Sequence, residues 1–522
     1  MECAGLIEAG GVKDVTHALC DSFSQKKNDV TLFIPYYGCT NLENIRNLKE
    51  NVAKAVVPIC GQMIEVTFST AEFVNNKVKI VFVNHLAYSE KKAVYVYTSD
   101  EEKENPMHVK GMGHTDFHFL DSLFSKAVAA YGQFVPKSKM PDIIHCQDAS
   151  TALTPAFIEM QKPEFFRNTK SVVTIHNAGP AYHHEFHDVN EALYYTELPW
   201  NWITDGMNDN RVEPFLISSR FASLTTVSTF YADEITDPAY NSQTDGLAQI
   251  FYDRKIKITG ITNGIDYYRY APEHPEISRL PYSMNPFERK FEGKLKNREF
   301  FLKLCRPNEE LKLDSRKQKY LENLTKKGYL DSNTSDKKTA FFVYHGRLVW
   351  QKGIWILIDA LNKILPESDN IKFAVVGQGE KEIENKLQEL TVLYPGKFIY
   401  FKGYNSCMAR LSVAQADFAL FPSNFEPCCL EDFIAQIFGT VPIANATGGL
   451  QKIIDEETGF LYSPNNPDIL AEKIRKAIDL KLNDIETLKN IETWASNYVR
   501  DFYSWDHVSE KYLNLFKKLL KN

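Results

Sequence analysis

The chain has 522 residues, of which 44% are hydrophobic and 24% charged, and this length predicts two domains because one core rarely serves so long a chain. A net charge of −7 argues against a nucleic acid or an anionic membrane as the partner, whereas an uncharged partner meets no such objection. The sequence has no long apolar run, no signal peptide and no CxxC pair among its nine cysteines, which predicts a cytoplasmic protein with reduced thiols and no membrane partner.

Short apolar runs alternate with amphipathic stretches along most of the chain, and the first helix has apolar residues at Val12, Val15, Leu19 and Phe23. This alternation is typical of α/β units with parallel strands. The runs predict strands at residues 30–34, 78–83, 143–145, 171–175, 224–227, 256–261, 340–344, 371–376, 398–401, 418–421 and 441–444. We therefore expect an α/β protein of two Rossmann-like, doubly wound domains that face a cleft, with ligands at the carboxyl ends of the strands.

The predicted break between the domains lies soon after Gly264, so the first domain takes residues 1–264 and the second 265–494. Residues 286–338 are rich in lysine and arginine, which indicates solvated helices at a domain junction or, alternatively, a patch for an anionic partner. Residues from about 495 to 522 are expected to form helices that pack back on the first domain.

Polar residues follow two predicted strands of the first domain. Asp148 comes after the strand at 143–145, and His176 and Asn177 come after the strand at 171–175. The carboxyl ends of parallel strands line the cleft of such a sheet, which favours a ligand role. A helix N-cap remains the alternative for Asp148, and a structural role for His176.

Two loops of the first domain carry turn signals that could also serve a ligand. Gly10 and Gly11 open the first helix, where backbone N–H groups could approach a phosphate closely. Asn263 follows the strand at 256–261 and precedes Gly264, so it either lies at the cleft or only makes the turn.

The second domain places Arg347 and Lys352 between a strand and a helix. Two permanent cations near a helix N-terminus form a pyrophosphate clamp, in which arginine offers a fork and lysine a point charge. They would stabilise the charge of a departing diphosphate. A pair of surface cations is the alternative.

Residues 421–450 carry the most informative pattern. A buried run ends at Pro422, one acid, Glu426, follows among apolar residues, and a helix opens near Leu430. A second strand then runs into a loop, Thr447-Gly448-Gly449. A carboxylate can bind hydroxyls and helix N–H groups can bind phosphate, so the segment suits a nucleotide sugar.

Three histidines, His183, His184 and His187, could bind a metal, but no carboxylate–histidine scaffold accompanies them in the sequence. We expect neither a metal nor another cofactor.

Taken in chain order, these motifs resemble the bacterial glycogen synthase and plant starch synthase family, which uses ADP-glucose. The similar segments cover nearly the whole chain and read ECAGLIEAGGVKDVTHAL, HCQDASTAL, VTIHNAG, LTTVSTFYADEIT, GITNGID, GRLVWQKGI, FPSNFEPCC and ATGGL. The resemblance implies the GT-B fold, no metal, and transfer of glucose with retention from ADP-glucose, or UDP-glucose, to the non-reducing end of an α-1,4-glucan.

The resemblance also implies residue roles. Arg347 and Lys352 would hold the diphosphate, and Glu426 would bind the donor glucose or support its developing positive charge. Asp148 and His176 would line the sugar pocket. The remaining residues implied to bind substrate are Asn177, Asn263, Gly10, Gly11, Leu430, Thr447, Gly448 and Gly449.

Several positions depart from the family pattern. Glu8 replaces a lysine, Ala149 a tryptophan and Cys429 a glycine, while Glu431 and Asp432 bring negative charge near the expected phosphates. The hydrophobic strand that the family has before its first glycine loop is also expected to be missing. These departures motivate two alternatives: a catalytically impaired glucan-binding or regulatory paralogue, and a GT-B glycosyltransferase with another acceptor.

Overall fold

The computed structural model describes residues 1–162, 164–311, 314–331 and 338–521. These form two compact units, one of Met1–Gly264 with Trp505–Asn522 and one of Ile265–Ser504. The junction predicted at 286–338 lies partly outside the described residues. Among the described helices, none combines the length and apolar character needed to cross a bilayer.

The first unit contains ten strands and ten helices before residue 265, within the described residues. The strands are β1 Thr31–Pro35, β2 Ile45–Ile59, β3 Gln62–Phe73, β4 Lys79–Asn84, β5 Ile143–Gln147, β6 Lys170–Ile175, β7 Met207–Asn208, β8 Arg211–Val212, β9 Ala222–Thr226 and β10 Ile258–Gly260. The helices are α1 Val12–Gln25, α2 Leu86–Ser89, α3 Ser99–Glu104, α4 Phe117–Ala130, α5 Thr154–Gln161, α6 Val189–Thr196, α7 Trp200–Asp205, α8 Pro214–Ser218, α9 Thr229–Glu234 and α10 Leu247–Asp253.

These strands form two four-stranded sheets and a short hairpin of β7 and β8. One sheet has the order β1-β4-β3-β2, in which β2 and β3 form a long antiparallel hairpin. The other has the order β10-β9-β6-β5 and is parallel throughout, so the ends of β5 and β6 lie side by side. Residues 1–11, which precede α1, hold only an isolated bridge between Cys3 and Ile7.

The second unit is built on one seven-stranded sheet. Its strands are β11 Leu324–Gly328, β12 Ala340–His345, β13 Ile371–Gly377, β14 Phe398–Gly403, β15 Phe418–Phe421, β16 Val441–Asn445 and β17 Phe460–Tyr462. Its helices are α11 Tyr267–Tyr270, α12 Pro275–Ser278, α13 Glu292–Leu304, α14 Ser315–Leu321, α15 Ile354–Glu367, α16 Lys381–Leu393, α17 Ser406–Gln415, α18 Glu431–Ile437, α19 Pro467–Asn483 and α20 Ile485–Phe502.

The strand order β11-β14-β13-β12-β15-β16-β17 fixes where this sheet can bind a ligand. Only β11 is antiparallel to its neighbour. The order reverses direction between β12 and β15, and crevices in doubly wound sheets open at the carboxyl ends of the strands beside such a reversal.

The last helix, α21 (Trp505–Leu519), packs on α1 in the first unit. Ser22 Oγ and Ser509 Oγ are 2.7 Å apart at this contact. The prediction that residues from about 495 pack on the first domain is wrong for the segment before Trp505. Helix α20 belongs to the second unit because its buried residues face α18 and α19.

Candidate active site

The carboxyl ends of β12, β15 and β16 carry the residues predicted in the second domain. Arg347 and Lys352 follow β12, Glu426 follows β15, and Thr447 follows β16. Because β15 lies between β12 and β16 in the sheet, these three loops meet at the point where the strand order reverses.

The loops after β12 and β15 are fastened to each other by backbone contacts. The Asn424 N–H donates to the Gln351 carbonyl at 2.9 Å, and Gln351 Nε2 donates to the Phe425 carbonyl at 3.1 Å. Gly353 has φ of 66°, and a Cβ there would lie 1.7 Å from the Pro422 carbonyl oxygen. Only glycine fits, so this approach sets the position of Lys352.

Lys352 and Glu426 form a direct ion pair. Lys352 Nζ lies 2.5 Å from Glu426 Oε2, which also accepts from Ser423 Oγ at 3.1 Å. The Glu426 side chain is 7% exposed. Burial disfavours the Lys352 ammonium, but Glu426 outweighs it and raises the lysine pKa. Among the described residues, all hydrogen bonds to the Glu426 side chain reach Oε2, which leaves Oε1 for a ligand hydroxyl.

Arg347 differs from Lys352 because it has no acidic partner among the residues the structure describes. Its side chain is exposed, and Nη2 donates a long hydrogen bond to Gln351 Oε1 at 3.5 Å. Its carbonyl accepts from Tyr344 Oη at 2.7 Å, which holds the backbone. An exposed guanidinium without a carboxylate partner is available to an anion.

The loop after β16 contacts the Glu426 backbone. The Gly449 N–H donates to the Glu426 carbonyl at 2.8 Å, and a Cβ on Gly449 would lie 2.4 Å from Cys428. Thr447 and Gly448 are buried and lead into this contact, while Leu430 stands immediately before α18. The predicted glycine loop and carboxylate loop therefore lie together.

Both acidic residues that depart from the family pattern, Glu431 and Asp432, have a basic partner. Asp432 is fully buried and lies 2.8 Å from Lys452 Nζ, and Glu431 lies 3.2 Å from His345 Nδ1. Burial opposes ionisation of Glu431, but His345 holds its pKa below the usual range. Burial raises the pKa of the Cys429 thiol well above its usual value, so Cys429 stays uncharged. Its φ of 60° is left-handed, which explains why the family favours glycine there.

Sequence reasoning missed Lys452. Its ammonium donates to the carbonyls of Cys428, Cys429 and Gly449 at 2.5, 3.0 and 3.0 Å, and it pairs with Asp432. Its side chain is 2% exposed. No local motif identifies this pair, because the partners are 20 residues apart in sequence.

A glycine motif at the end of β13 was also missed. A Cβ on Gly377 would lie 2.1 Å from the Gly346 carbonyl, and one on Gly379 would lie 2.1 Å from the Leu348 carbonyl. Because these two glycines have no side chain, the loop after β12 packs directly against the end of β13. A Gly-x-Gly directly after an apolar strand was the available signal.

In the first unit, Asp148 and His176 are in contact at the ends of β5 and β6. The backbone N–H of His176 donates to Asp148 Oδ1 at 3.2 Å, and its ring Nε2 donates to Gln147 Oε1 at 2.8 Å. Asp148 has φ of 65°, a conformation that non-glycine residues rarely adopt. Asp148 does occupy the N-cap position of the following 3-10 turn, but its side chain makes no capping hydrogen bond there.

Burial dominates the protonation of both groups. It raises the pKa of Asp148 to about 6, against the lowering influence of His184. It lowers the pKa of His176 to about 3, and the neighbouring His145 adds to this effect. Near neutral pH the pair is therefore a carboxylate beside a neutral imidazole, suited to hydroxyl groups.

Asp148→Asn should stabilise the protein at pH 8. The raised pKa means that the folded chain binds this proton more tightly than the unfolded chain, so ionisation costs stability as pH rises from about 4 to about 6 and remains a cost above that. Removing the charge should add about 1–3 kcal/mol at pH 8 and roughly half as much at pH 5. Urea unfolding at both pH values measures this, with exposed Asp142→Asn as the control. A loss of stability at pH 8 would contradict the assigned burial.

The glycine loop before α1 is already engaged by a carboxylate. Glu2 is buried, and its Oε2 accepts from the N–H groups of Ala9 at 3.0 Å and Gly10 at 2.5 Å. The structure thus does not leave the Gly10 N–H free for phosphate. Gly11 stands immediately before α1 and is exposed, and the exposed Glu8 turns back to a backbone N–H of the preceding turn.

The two predicted asparagines behave differently. Asn177 Oδ1 accepts from the Gly179 N–H at 2.8 Å and makes a local turn. Asn263 is buried, its N–H donates to the Val227 carbonyl at 3.1 Å, and its Oδ1 has no hydrogen-bond partner among the described residues. A buried acceptor of this kind favours a ligand role for Asn263.

Comparisons with known proteins agree with this geometry. A family model described as starch synthase catalytic domain matches residues 1–250, and one described as glycosyl transferases group 1 matches residues 326–495. Glycogen synthase of Thermodesulfovibrio yellowstonii is 30% identical over 98% of this chain and 95% of its own length. That of Flavobacterium johnsoniae is 27% identical over 100% of this chain and 98% of its own length.

Solved structures show the same fold. The catalytic domain of starch synthase IV from Arabidopsis thaliana, bound to ADP and acarbose, has a TM-score of 0.78 at 21% identity and covers 100% of this chain and 98% of its own. Sucrose-phosphate synthase from Thermosynechococcus elongatus has a TM-score of 0.53 at 15% identity, with 99% and 96% covered. The fold and site thus define a glycosyltransferase of the GT-B class. Within that class the chain belongs to the glycogen synthase family, as its sequence motifs predicted.

Proposed function

We propose that this glycosyltransferase moves glucose from ADP-glucose to the non-reducing end of an α-1,4-glucan, with retention of configuration. The observation that carries the proposal is the Lys352–Glu426 pair beside the unpaired Arg347 at the strand reversal. The names of the related glycogen synthases, and the ADP bound to the similar starch synthase, support this substrate class.

In this reaction the cations of the second unit act on the leaving group. The Arg347 guanidinium binds the diphosphate, and Lys352 neutralises the charge that builds up as the glycosidic bond to phosphate breaks. Glu426 holds Lys352 in position through Oε2 and offers Oε1 to a hydroxyl of the donor glucose. The Gly448–Gly449 turn holds this carboxylate loop in position through its backbone contact with Glu426.

The first unit supplies groups that recognise sugar hydroxyls. Asp148 presents a carboxylate, His176 a neutral imidazole and Asn263 an unpartnered amide oxygen. Because Nε2–H of the neutral ring donates to Gln147, His176 offers Nδ1 as an acceptor to a sugar hydroxyl and no charge to the diphosphate.

Nucleoside diphosphate release tests the proposal. With glycogen as acceptor, the wild-type chain should release ADP from ADP-glucose with a larger kcat/KM than UDP from UDP-glucose. Omitting glycogen should abolish most release if domain closure limits hydrolysis. Glycogen binding without calorimetric binding of either donor would overturn the proposal in favour of a glucan-binding protein.

A further inference from the structure

A cluster of titratable groups in the first unit lies outside the machinery described above. His183, Glu185 and Glu213 each offer one ligand atom, and the three atoms lie within 4.8 Å of one another. His183 and Glu185 follow the loop after β6, whereas Glu213 precedes α8. The three neighbouring histidines do not converge: His184 lies 2.5 Å from Asp121, and His187 is exposed.

The three ligand atoms are buried and lack hydrogen bonds. They are His183 Nδ1, Glu185 Oε2 and Glu213 Oε2. The side chains of His183 and Glu213 are 0% exposed, so bulk solvent does not reach them. Nδ1 of His183 is 3.0 Å from Glu213 Oε2 and 4.0 Å from Glu185 Oε2. Ligand atoms around a tetrahedral zinc ion are separated by about 3.3–3.6 Å, so the two distances from His183 Nδ1 lie on either side of that range.

The other atom of each group is already held by a protein contact. His183 Nε2 donates to the Ala178 carbonyl at 2.7 Å, which leaves the Nδ1 lone pair facing the carboxylates. Glu213 Oε1 accepts from the Phe215 N–H at 3.1 Å, and Glu185 Oε1 accepts from Arg211. Metal-bound imidazoles are oriented by this kind of outer contact, in which the second ring N–H meets a carbonyl.

The charge of the surroundings also favours a cation. Arg211 lies 2.6 Å from Asp245 as well as against Glu185. Three carboxylates against one guanidinium leave a net charge of −2 when His183 is neutral. A divalent ion would neutralise this charge, whereas without an ion His183 would pair with Glu213 alone, whose Oε2 lies 3.0 Å from Nδ1.

We propose that His183, Glu185 and Glu213 form a structural binding site for a divalent transition-metal ion, of which Zn²⁺ is the best fit. One imidazole nitrogen with two carboxylate oxygens suits Zn²⁺ better than Mg²⁺, which prefers oxygen ligands alone. From the sequence we expected no metal because we considered only the neighbouring histidines. Glu213 belongs to a separate segment of the chain, so the sequence does not show that it lies beside His183. The ion would fasten His183 to Glu213, and His183 would in turn hold Ala178 in the loop that carries His176 and Asn177.

Metal loading of the full chain tests the site without relying on activity. After treatment with a chelator, the wild-type protein should take up about one Zn²⁺ per chain by elemental analysis, and its unfolding temperature should rise with Zn²⁺ but not with Mg²⁺. His183→Asn and Glu213→Gln should each weaken Zn²⁺ binding at least about tenfold. His187→Asn, an exposed histidine four residues away, is the matched control and should load like the wild type.

Glu185→Gln gives a second variant if the two buried ones fail to fold, because Glu185 is only partly buried. It should also lower Zn²⁺ affinity. Equal loading of Zn²⁺ in wild type and Glu185→Gln, or no uptake by wild type, would overturn the proposal. Neither result would bear on glucosyl transfer, which is measured separately.

Discussion

Lys352→Met should lower kcat by about 10²–10³-fold, because a charge that stabilises the departing diphosphate is removed from a partly buried position. The ammonium lies 2.5 Å from Glu426 Oε2, so the substitution also leaves a carboxylate that is 7% exposed without its cation. Steady-state turnover of ADP-glucose measures the effect. Unfolding in urea must be measured beside it, since an unpaired buried charge costs about 3–5 kcal/mol.

A double variant separates the chemical role from the structural one. In Lys352→Met with Glu426→Gln no buried charge is left unpaired, so most of the lost stability should return. The activity should stay as low as in the single variant. Lys363→Met is the matched control and should keep wild-type kcat, because Lys363 lies on α15 in an exposed pair with Asp468 of α19. A Lys352→Met kcat within about threefold of wild type would contradict the charge role assigned to Lys352.

Lys452→Met should cost about 3–5 kcal/mol of unfolding free energy, which is the expected effect of leaving Asp432 buried and unpaired. The substitution also removes the donor for three backbone carbonyls around Cys428 and Gly449. Urea unfolding monitored by circular dichroism measures the loss. Because those carbonyls belong to the loop after Glu426, KM for the donor should rise as well.

Asp432→Asn should partly rescue Lys452→Met, since it removes the unpaired charge while keeping an acceptor for Gln436. Lys473→Met is the control, because Lys473 lies 3.8 Å from a half-exposed Asp455. That control should cost less than about 1 kcal/mol. Equal losses in Lys452→Met and Lys473→Met would show that the buried pair contributes no more than a surface contact.

The central parallel strands of the second unit, β12, β13, β15 and β16, were predictable because they are continuous apolar runs buried on both faces. The short parallel edge strand β17 was not predicted. The hairpin of β2 and β3 was missed. Its turn, Cys60 and Gly61, has φ of 55° and 69°, and two positive values are usually signalled by Asn-Gly. Much of β2 also faces solvent, so it lacks an apolar run.

At the site, the sequence located the strand ends but not the pairings across them. Asp148 and His176 meet because β5 and β6 are adjacent in the parallel sheet, whereas the sequence predicted only that both follow strand ends at the cleft. Contact between Lys352 and Glu426 depends instead on Gly353 approaching Pro422, a packing detail without a local signal. Likewise, the ion pair between Asp432 and Lys452 could be found only from the three-dimensional structure. Because Lys452 neutralises Asp432, this acid does not add an unpaired negative charge near the expected phosphates.

The position of the transferred glucose in the polymer is the sharpest test of the proposed reaction. The wild-type chain is incubated with glycogen and ADP-glucose labelled in its glucose, and the polymer is then digested with β-amylase, which releases maltose from the non-reducing ends of α-1,4 chains. We expect labelled polymer whose label leaves as maltose. Unlabelled polymer, or label that resists β-amylase, would contradict glucosyl transfer to the non-reducing end of an α-1,4-glucan.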